Sequence, residues 1–274
     1  MDRTALSLHN ERLGRKSRPR AASDVPAPAG RERPAARRPA LRLGPKFAAI
    51  AARIMKLHPW RVAVLALGLV LPSSAEALAA SRFDLDVLHW RIVRGESGPV
   101  DYYETVNDPA MPFVRARYRP PLKTAVLGLE IRKEDRKAAR AIHWQWRAVT
   151  LPTGGDECVQ GKTDSAAVVY LTWKRGFRWY TLKYVWSSVG RAGDVCGRQR
   201  NLFVAQDTIV LESAGPLGVW RSEDLDIRRE FRNHFEDGNP NGDVPDFVGV
   251  GIMSDGDQTK TESAADYADF VLVR

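Results

Sequence analysis

From about residue 85 the chain carries short runs of apolar residues broken at close intervals. Val87–Val93, Pro112–Tyr118, Ala125–Ile131, Ile142–Val149, Ala166–Trp173, Trp179–Trp186, Thr208–Leu211 with its flanks, Phe247–Ile252 and Ala268–Val273 are rich in β-branched and aromatic side chains. Most end in clusters of Gly, Pro, Asp or Asn, and this composition fits a pleated, half-buried surface. Each run is expected to form a strand. Gly176, within Lys174-Arg175-Gly176-Phe177, reads as the turn of a hairpin. Along Trp179–Trp186 a period of two places Tyr180, Leu182, Tyr184 and Trp186 on one face and Trp179 and Lys183 on the other.

Helical spacing is confined to two segments. Glu134–Arg140 is short and polar. In Asp224–Phe235, Ile227, Phe231 and Phe235 recur every fourth residue on one face, and Ser222 or Asp224 is expected to cap the start. Strands at short spacing with one substantial helix predict an all-β fold: a β-sandwich, jelly-roll-like, with one short helix packed on it. No repeat and no Gly/Ser- or Pro-rich linker interrupts residues 80–274, so one domain is expected there.

The N-terminal part has another character. After Lys56 and Arg61 comes the apolar stretch Val62–Leu71, then Pro72, Ser73 and Ser74, then Ala75-Glu76-Ala77-Leu78-Ala79. A positive start, a short apolar core and small residues at its exit make residues 55–79 a secretory signal peptide. The alternative, a retained membrane helix, needs about 20 apolar residues, so no stable membrane span is expected in the mature form. Residues 1–54 are read as a basic disordered leader or as the product of a mis-called start, with Met55 the true one. They hold 13 Lys and Arg against 4 Asp and Glu, which leaves 29 of each in residues 55–274 and a net charge of zero there. A basic chain usually points to nucleic acid or a membrane surface. Here the excess charge belongs to the leader, so no nucleic-acid partner is expected. The domain is read as exported, periplasmic or extracellular.

Export bears on the thiols. Cys158 and Cys196 are the two cysteines of the chain, and an oxidising compartment favours a disulfide between them over two buried free thiols. The chain lacks G-x-S-x-G, H-E-x-x-H, a phosphate loop and Cys-x-x-Cys. His143 and His234 fall inside elements and read as structural. No zinc site of recognised spacing is present.

A series of motifs then carries a resemblance. Trp144-Gln145-Trp146-Arg147, Thr163-Asp164-Ser165-Ala166-Ala167, Tyr184-Val185-Trp186-Ser187-Ser188, Gly249 through Thr259 and Ala268-Asp269-Phe270 follow in order. The series resembles the exported bacterial family termed domain of unknown function 3047, over roughly residues 85–273. The resemblance implies an envelope-located β-sandwich without an established activity. This chain departs from the family pattern at Thr163, where an acid is usual, at Val168, where arginine is usual, and at Lys183, where asparagine is usual. The closing strand is also similar to those of carbohydrate-binding jelly rolls, an analogy of fold.

Candidate chemistry collects at strand ends. Asp255, Asp257 and Thr259 alternate directly after an apolar strand, an arrangement suited to a hard cation or to sugar hydroxyls, and equally to an Asp-rich turn. No cofactor or metal is expected, and calcium is the one cation such oxygens could take, with Asp255 and Asp257 as its candidate ligands. Asp237-Gly238-Asn239-Pro240-Asn241-Gly242-Asp243 resembles the start of a calcium loop but has Val248 where a bidentate Glu belongs. The seven tryptophans from Trp90 onward offer flat faces either for a sugar or for the core. The expected ligand residues are Asp164, Tyr184, Trp186, Asp255, Asp257 and Thr259. The function expected is non-catalytic binding of a glycan or cell-wall ligand. The alternatives are a polysaccharide hydrolase or lyase using acids at the sheet ends, and a structural or partner-binding envelope protein. No catalytic residue is assigned, and nothing in the sequence specifies an oligomeric state.

Overall fold

A computed structural model describes residues 80–95 and 102–274. Along the chain the elements are β1 (Arg82–Asp84), β2 (Arg91–Gly95), β3 (Tyr103–Val106), β4 (Phe113–Tyr118), β5 (Ala125–Glu130) and the single turn α1 (Lys133–Arg136). Then come β6 (Ala141–Thr150), β7 (Ser165–Arg175), β8 (Arg178–Ser187), β9 (Val195–Arg200), β10 (Val204–Ser213) and β11 (Arg221–Asp226). α2 (Ile227–Phe235), β12 (Asp246–Met253) and β13 (Ser263–Val273) complete it.

The strands form two sheets. One has the order β11-β6-β13-β4-β3, with β1 paired to the C-terminal end of β13. The other has seven strands in the order β2-β5-β12-β7-β8-β10-β9. All pairs are antiparallel except β8 with β10, between which β9 folds back against β10. The chain crosses between sheets at β1–β2, β2–β3, β4–β5, β5–β6, β6–β7, β10–β11, β11–β12 and β12–β13. These crossings make the domain a jelly-roll-like β-sandwich.

Period-two alternation fills the space between the sheets. Trp144 and Trp146 of β6, Trp186 and Tyr184 of β8 and Phe270 of β13 are fully buried there. Trp146 meets Trp186 edge-on at 5.8 Å and Trp144 meets Tyr184 at 6.1 Å, so the aromatic pairs bridge the sheets. Such pairs contribute about 0.5–1.5 kcal/mol each beyond their burial. The outer face of the seven-stranded sheet carries a smaller apolar cluster, Val168, Val185, Val210 and Met253.

Helix α2 buries Ile227 and Phe231 against the sandwich, with the Phe231 ring 5.5 Å from Trp173 and 5.1 Å from Tyr180. Its cap is Asp226, whose carboxylate accepts from the N–H groups of Arg228 and Arg229. This corrects the expected cap at Ser222 or Asp224. Those residues are spent in β11, which pairs with β6 through Asp226 and postpones the helix. Two other expectations change. Val87–Val93 begins as a 3-10 turn, Val87–His89, because the Asp86 side chain accepts from Leu88 N and coils the chain before β2. The segment Glu134–Arg140 keeps only the turn α1. The edge strands β1, β3, β9 and β11 were not expected.

Cys158 and Cys196 form a disulfide with their Cα atoms 5.3 Å apart, tying the β6–β7 loop to β9. Among the described residues no helix is long and apolar enough to cross a membrane. The leader (1–54) and the signal peptide (55–79) lie outside the described residues.

Candidate functional site

The end of the seven-stranded sheet where β7 begins and β12 finishes gathers buried polar side chains. Asp164, just ahead of β7, is fully buried. Its Oδ1 accepts from Gln258 N at 3.1 Å and its Oδ2 from Thr259 N at 2.6 Å. Asp255, just past β12, donates its backbone N–H to Ser165 O at 3.0 Å and accepts at Oδ1 from Asp257 N at 3.2 Å. Between them Gly256 passes so close to the Thr261 carbonyl and the Tyr118 ring that a Cβ there would collide with both. The 255–261 loop is therefore stapled from below. Asp257, partly exposed, is held by Gln258 Nε2 at 3.1 Å, and Thr259 Oγ1 lies 2.8 Å from Thr261 Oγ1.

Beside this loop an ion pair is buried on the outer face of the sheet. Lys183 Nζ lies 2.9 Å from Glu157 Oε1 and 3.0 Å from Oε2, and Ser165 Oγ donates to the same Oε1 at 2.5 Å. Glu157 immediately precedes Cys158, so the disulfide fixes the segment that carries this carboxylate. Burial alone would lower the Lys183 ammonium, but Glu157, Tyr170 and Asp255 outweigh it and Lys183 titrates above the ordinary lysine range. Asp255 moves well above the usual carboxylate range. Burial is the main cause, Asp257 and Asp164 add to it, and Lys183 opposes it.

Four of the expected ligand residues thus meet: Asp164, Asp255, Asp257 and Thr259. Tyr184 and Trp186 do not join them. Both side chains point into the space between the sheets, where Tyr184 Oη donates to Glu230 at 3.0 Å and Trp186 Nε1 donates to Ala214 O at 2.8 Å. A ring with no free face cannot stack on a sugar, so these two are core residues. Trp90, Trp144, Trp146 and Trp173 are buried as well. Pattern reading missed Glu157. Its signal was its position beside a disulfide-forming cysteine, opposite a lysine on the outward face of β8.

The carboxylate oxygens of Asp164, Asp255 and Asp257 lie within 4.8 Å of one another, the one such group of metal-capable side chains among the described residues. Its chemistry suits a staple better than a cation cage. Asp164 has committed both oxygens to backbone N–H groups, and Asp255 Oδ1 accepts from Asp257 N. The 237–243 segment is a turn in which Asn239 accepts from Asn241 N and Asp243 faces Arg175 at 3.3 Å. His143 sits between Asp224 and Asp269 at 3.0 and 3.2 Å, and His234 lies 2.9 Å from Asp207. Two cavities, of about 530 and 440 Å³, open elsewhere, the first beside Phe83 and Arg132, the second beside Arg198 and His234.

The family model described as "Protein of unknown function (DUF3047)" matches residues 103–271, from the first residue of β3 into the last strand. The chain belongs to the DUF3047 family. No curated protein matches this DUF3047 chain in sequence. Solved structures resemble it loosely. The xyloglucanase domain of NopAA, a type three effector from Sinorhizobium fredii, is 11% identical, covers 68% of this chain and 93% of its own, and superposes with a TM-score of 0.39. The family 11 carbohydrate-binding module from Clostridium thermocellum is 9% identical over 71% and 96%, with a TM-score of 0.37. Endoglucanase 3 of family GH12 from Trichoderma harzianum is 11% identical over 73% and 99%, with a TM-score of 0.30. Superpositions this loose carry no argument about the chemistry of the DUF3047 site.

Proposed function

We propose that this domain is a non-catalytic binding module for a glycan or cell-wall ligand, exported to the cell envelope, with the 255–259 loop as its contact surface. One observation carries the reading: the loop is immobilised from beneath by Asp164 and Asp255 while Asp257 stays partly exposed and Gln258 exposed. A pre-ordered array of acceptors and donors binds hydroxyl-rich ligands without a further ordering penalty. A hydrolase needs two carboxylates on opposite sides of a bound sugar, roughly 5 Å or more apart. Here Asp255 and Asp257 are neighbours on one loop, and neither lines the cavity beside Phe83 and Arg132 or the one beside Arg198 and His234. The hydrogen bonds of Asp164 and Asp255 to backbone N–H groups order the loop, and binding is proposed to need no cofactor.

A glycan array followed by calorimetry on the best ligand tests the proposal. Asp257→Ala combined with Thr259→Val is expected to weaken binding at least about tenfold, since a lost hydrogen bond to the charged Asp257 alone contributes on the order of 1.5–3 kcal/mol. A chelator is expected to change nothing. Failure to bind any glycan on the array, or binding indifferent to both substitutions, would refute the reading.

A further inference from the structure

At the opposite end of β7 and β8, two adjoining loops expose apolar side chains at their apex. Phe177 and Leu202 are the two most exposed large apolar residues among the described ones, at 89% and 78%, and Phe203 is 56% exposed. Phe177 sits in a two-residue hairpin whose Gly176 takes a φ of 58°, the left-handed region that favours glycine. Trp179 N donates to Phe203 O at 2.8 Å, which holds the two loops side by side. Asn201 Oδ1 accepts from Phe203 N and Val204 N at 2.9 and 2.8 Å and keeps Leu202 and Phe203 turned outward. Both loops are thus built to display these side chains, and the display gives the isolated fold no burial in return.

The charges on the two loops themselves all have one sign, and the acids near them come from neighbouring elements. Residues 174–178 and 198–203 contain Lys174, Arg175, Arg178, Arg198 and Arg200 and no acid, in a region of chain (55–274) with no net charge. Arg175 and Arg178 stand directly opposite across the hairpin, a like-charge pairing that sheets ordinarily avoid. Arg175 is answered by Glu236 at 3.0 Å and Arg200 by the buried Asp207 at 2.7 Å. Lys174, Arg178 and Arg198 have no ion pair within 4 Å among the described residues, while Asp246 stands opposite Lys174 in the register and the Arg178 guanidinium lies over the Tyr180 ring at 5.2 Å. Lys174 rests its ammonium over the Trp179 ring at 4.4 Å.

We propose that this tip docks the domain onto an anionic phospholipid surface, with Phe177, Leu202 and Phe203 entering the headgroup–acyl boundary and Lys174, Arg178 and Arg198 meeting lipid phosphates. Phe177, Leu202 and Phe203 project from loops and none lines the cavity beside Arg198 and His234, which fits a broad soft surface better than a protein ridge. Apolar side chains at the apex with cations around them are the two signals that together give reversible membrane attachment. The inference does not depend on the glycan reading.

Photo-crosslinking tests it in the full chain. A benzophenone amino acid replaces Phe177, or, as a control, Val189, which is 63% exposed away from the tip. After irradiation with phosphatidylglycerol vesicles, lipid adducts are expected at position 177 and not at 189. They are expected to fall on the order of a hundredfold when Lys174, Arg178 and Arg198 are all replaced by Ala, and to fall in phosphatidylcholine vesicles. Because crosslinking reports position, attachment through residues 1–79 cannot mimic the result, and unfolding midpoints check that each variant is folded. Equal adducts at 177 and 189, no lipid adduct at 177 on vesicle-bound protein, or adducts indifferent to lipid charge would overturn the proposal.

Discussion

Replacing Lys183 by Met removes one half of a buried ion pair and leaves the other half in place. The Lys183 and Glu157 side chains are 10% and 2% exposed, so solvent screens their attraction little. In Lys183→Met the Glu157 carboxylate keeps one charged-group partner fewer and retains only the Ser165 hydroxyl. Stranding one charge of a buried pair typically costs about 3–5 kcal/mol, whereas replacing both members with neutral groups of similar shape is often neutral or better. Lys183→Met is therefore expected to lower the unfolding free energy by about 4 kcal/mol, and Glu157→Gln by a comparable amount. The double variant Lys183→Met/Glu157→Gln is expected to be more stable than either single one. Urea unfolding of all four proteins closes the cycle, with midpoints compared at constant slope. A Lys183→Met loss under about 1 kcal/mol, or losses that simply add, would show that the pair is solvated and that the floor of the site is not as dry as its geometry implies.

Two further outcomes follow from the same region. Asp255 titrates well above the usual carboxylate range, so the folded state holds its proton at pH values where the unfolded chain has released it. Its contribution is then full below the unfolded value near 3.9 and is lost as pH rises toward the folded value, each tenfold difference in proton affinity amounting to about 1.4 kcal/mol. Asp255→Asn keeps the acceptor for Asp257 N and cannot ionise, so its stability relative to the parent is expected to climb between pH 4 and pH 8; a relative decline over that range, read from unfolding curves, would contradict the assignment. Cys158→Ser/Cys196→Ser opens a loop spanning 38 residues, and the chain-entropy relation gives a loss of about 4 kcal/mol, measurable as a fall in the urea midpoint.

What could be read in advance divides along a physical line. The strands recognised from pattern, β4, β5, β6, β7, β8, β10, β12 and β13, are those with a neighbour on both sides. The strands missed or misread, β1, β2, β3, β9 and β11, lie at edges or on a partial ladder. Edge strands are kept short and charged so that they do not recruit another chain. Arg221-Ser222-Glu223-Asp224-Leu225-Asp226 and Val195-Cys196-Gly197-Arg198-Gln199-Arg200 carry that composition, and it hides them from a search for alternating apolar residues. They are strands because β6 and β10 present unpaired backbone groups to them.

The candidate site divides in the same way. Asp164, Asp255, Asp257 and Thr259 were legible because each lies within a few residues of a strong strand, whose end fixes their place. Glu157 lies in a loop with no periodicity, and its partner Lys183 is 26 residues away, so only the tertiary fold brings the pair together. Tyr184 and Trp186 were misjudged for the converse reason. Alternation says that two residues share a face, but not which face is turned to solvent. That was decided by Trp144, Trp146 and Phe270 arriving from the other sheet.

The two proposed surfaces are also related by geometry. β7 runs from Ser165, beside the acid loop, to Arg175, at the base of the apolar hairpin, and β8 returns over the same distance. Eleven residues of strand at about 3.3 Å each separate the two ends by roughly 30 Å. A domain resting on lipid through Phe177, Leu202 and Phe203 would hold Asp257 and Gln258 that far from the bilayer and facing away from it. Attachment and ligand capture would then use opposite ends of one rigid hairpin, joined by the paired backbone of β7 and β8, and neither would obstruct the other.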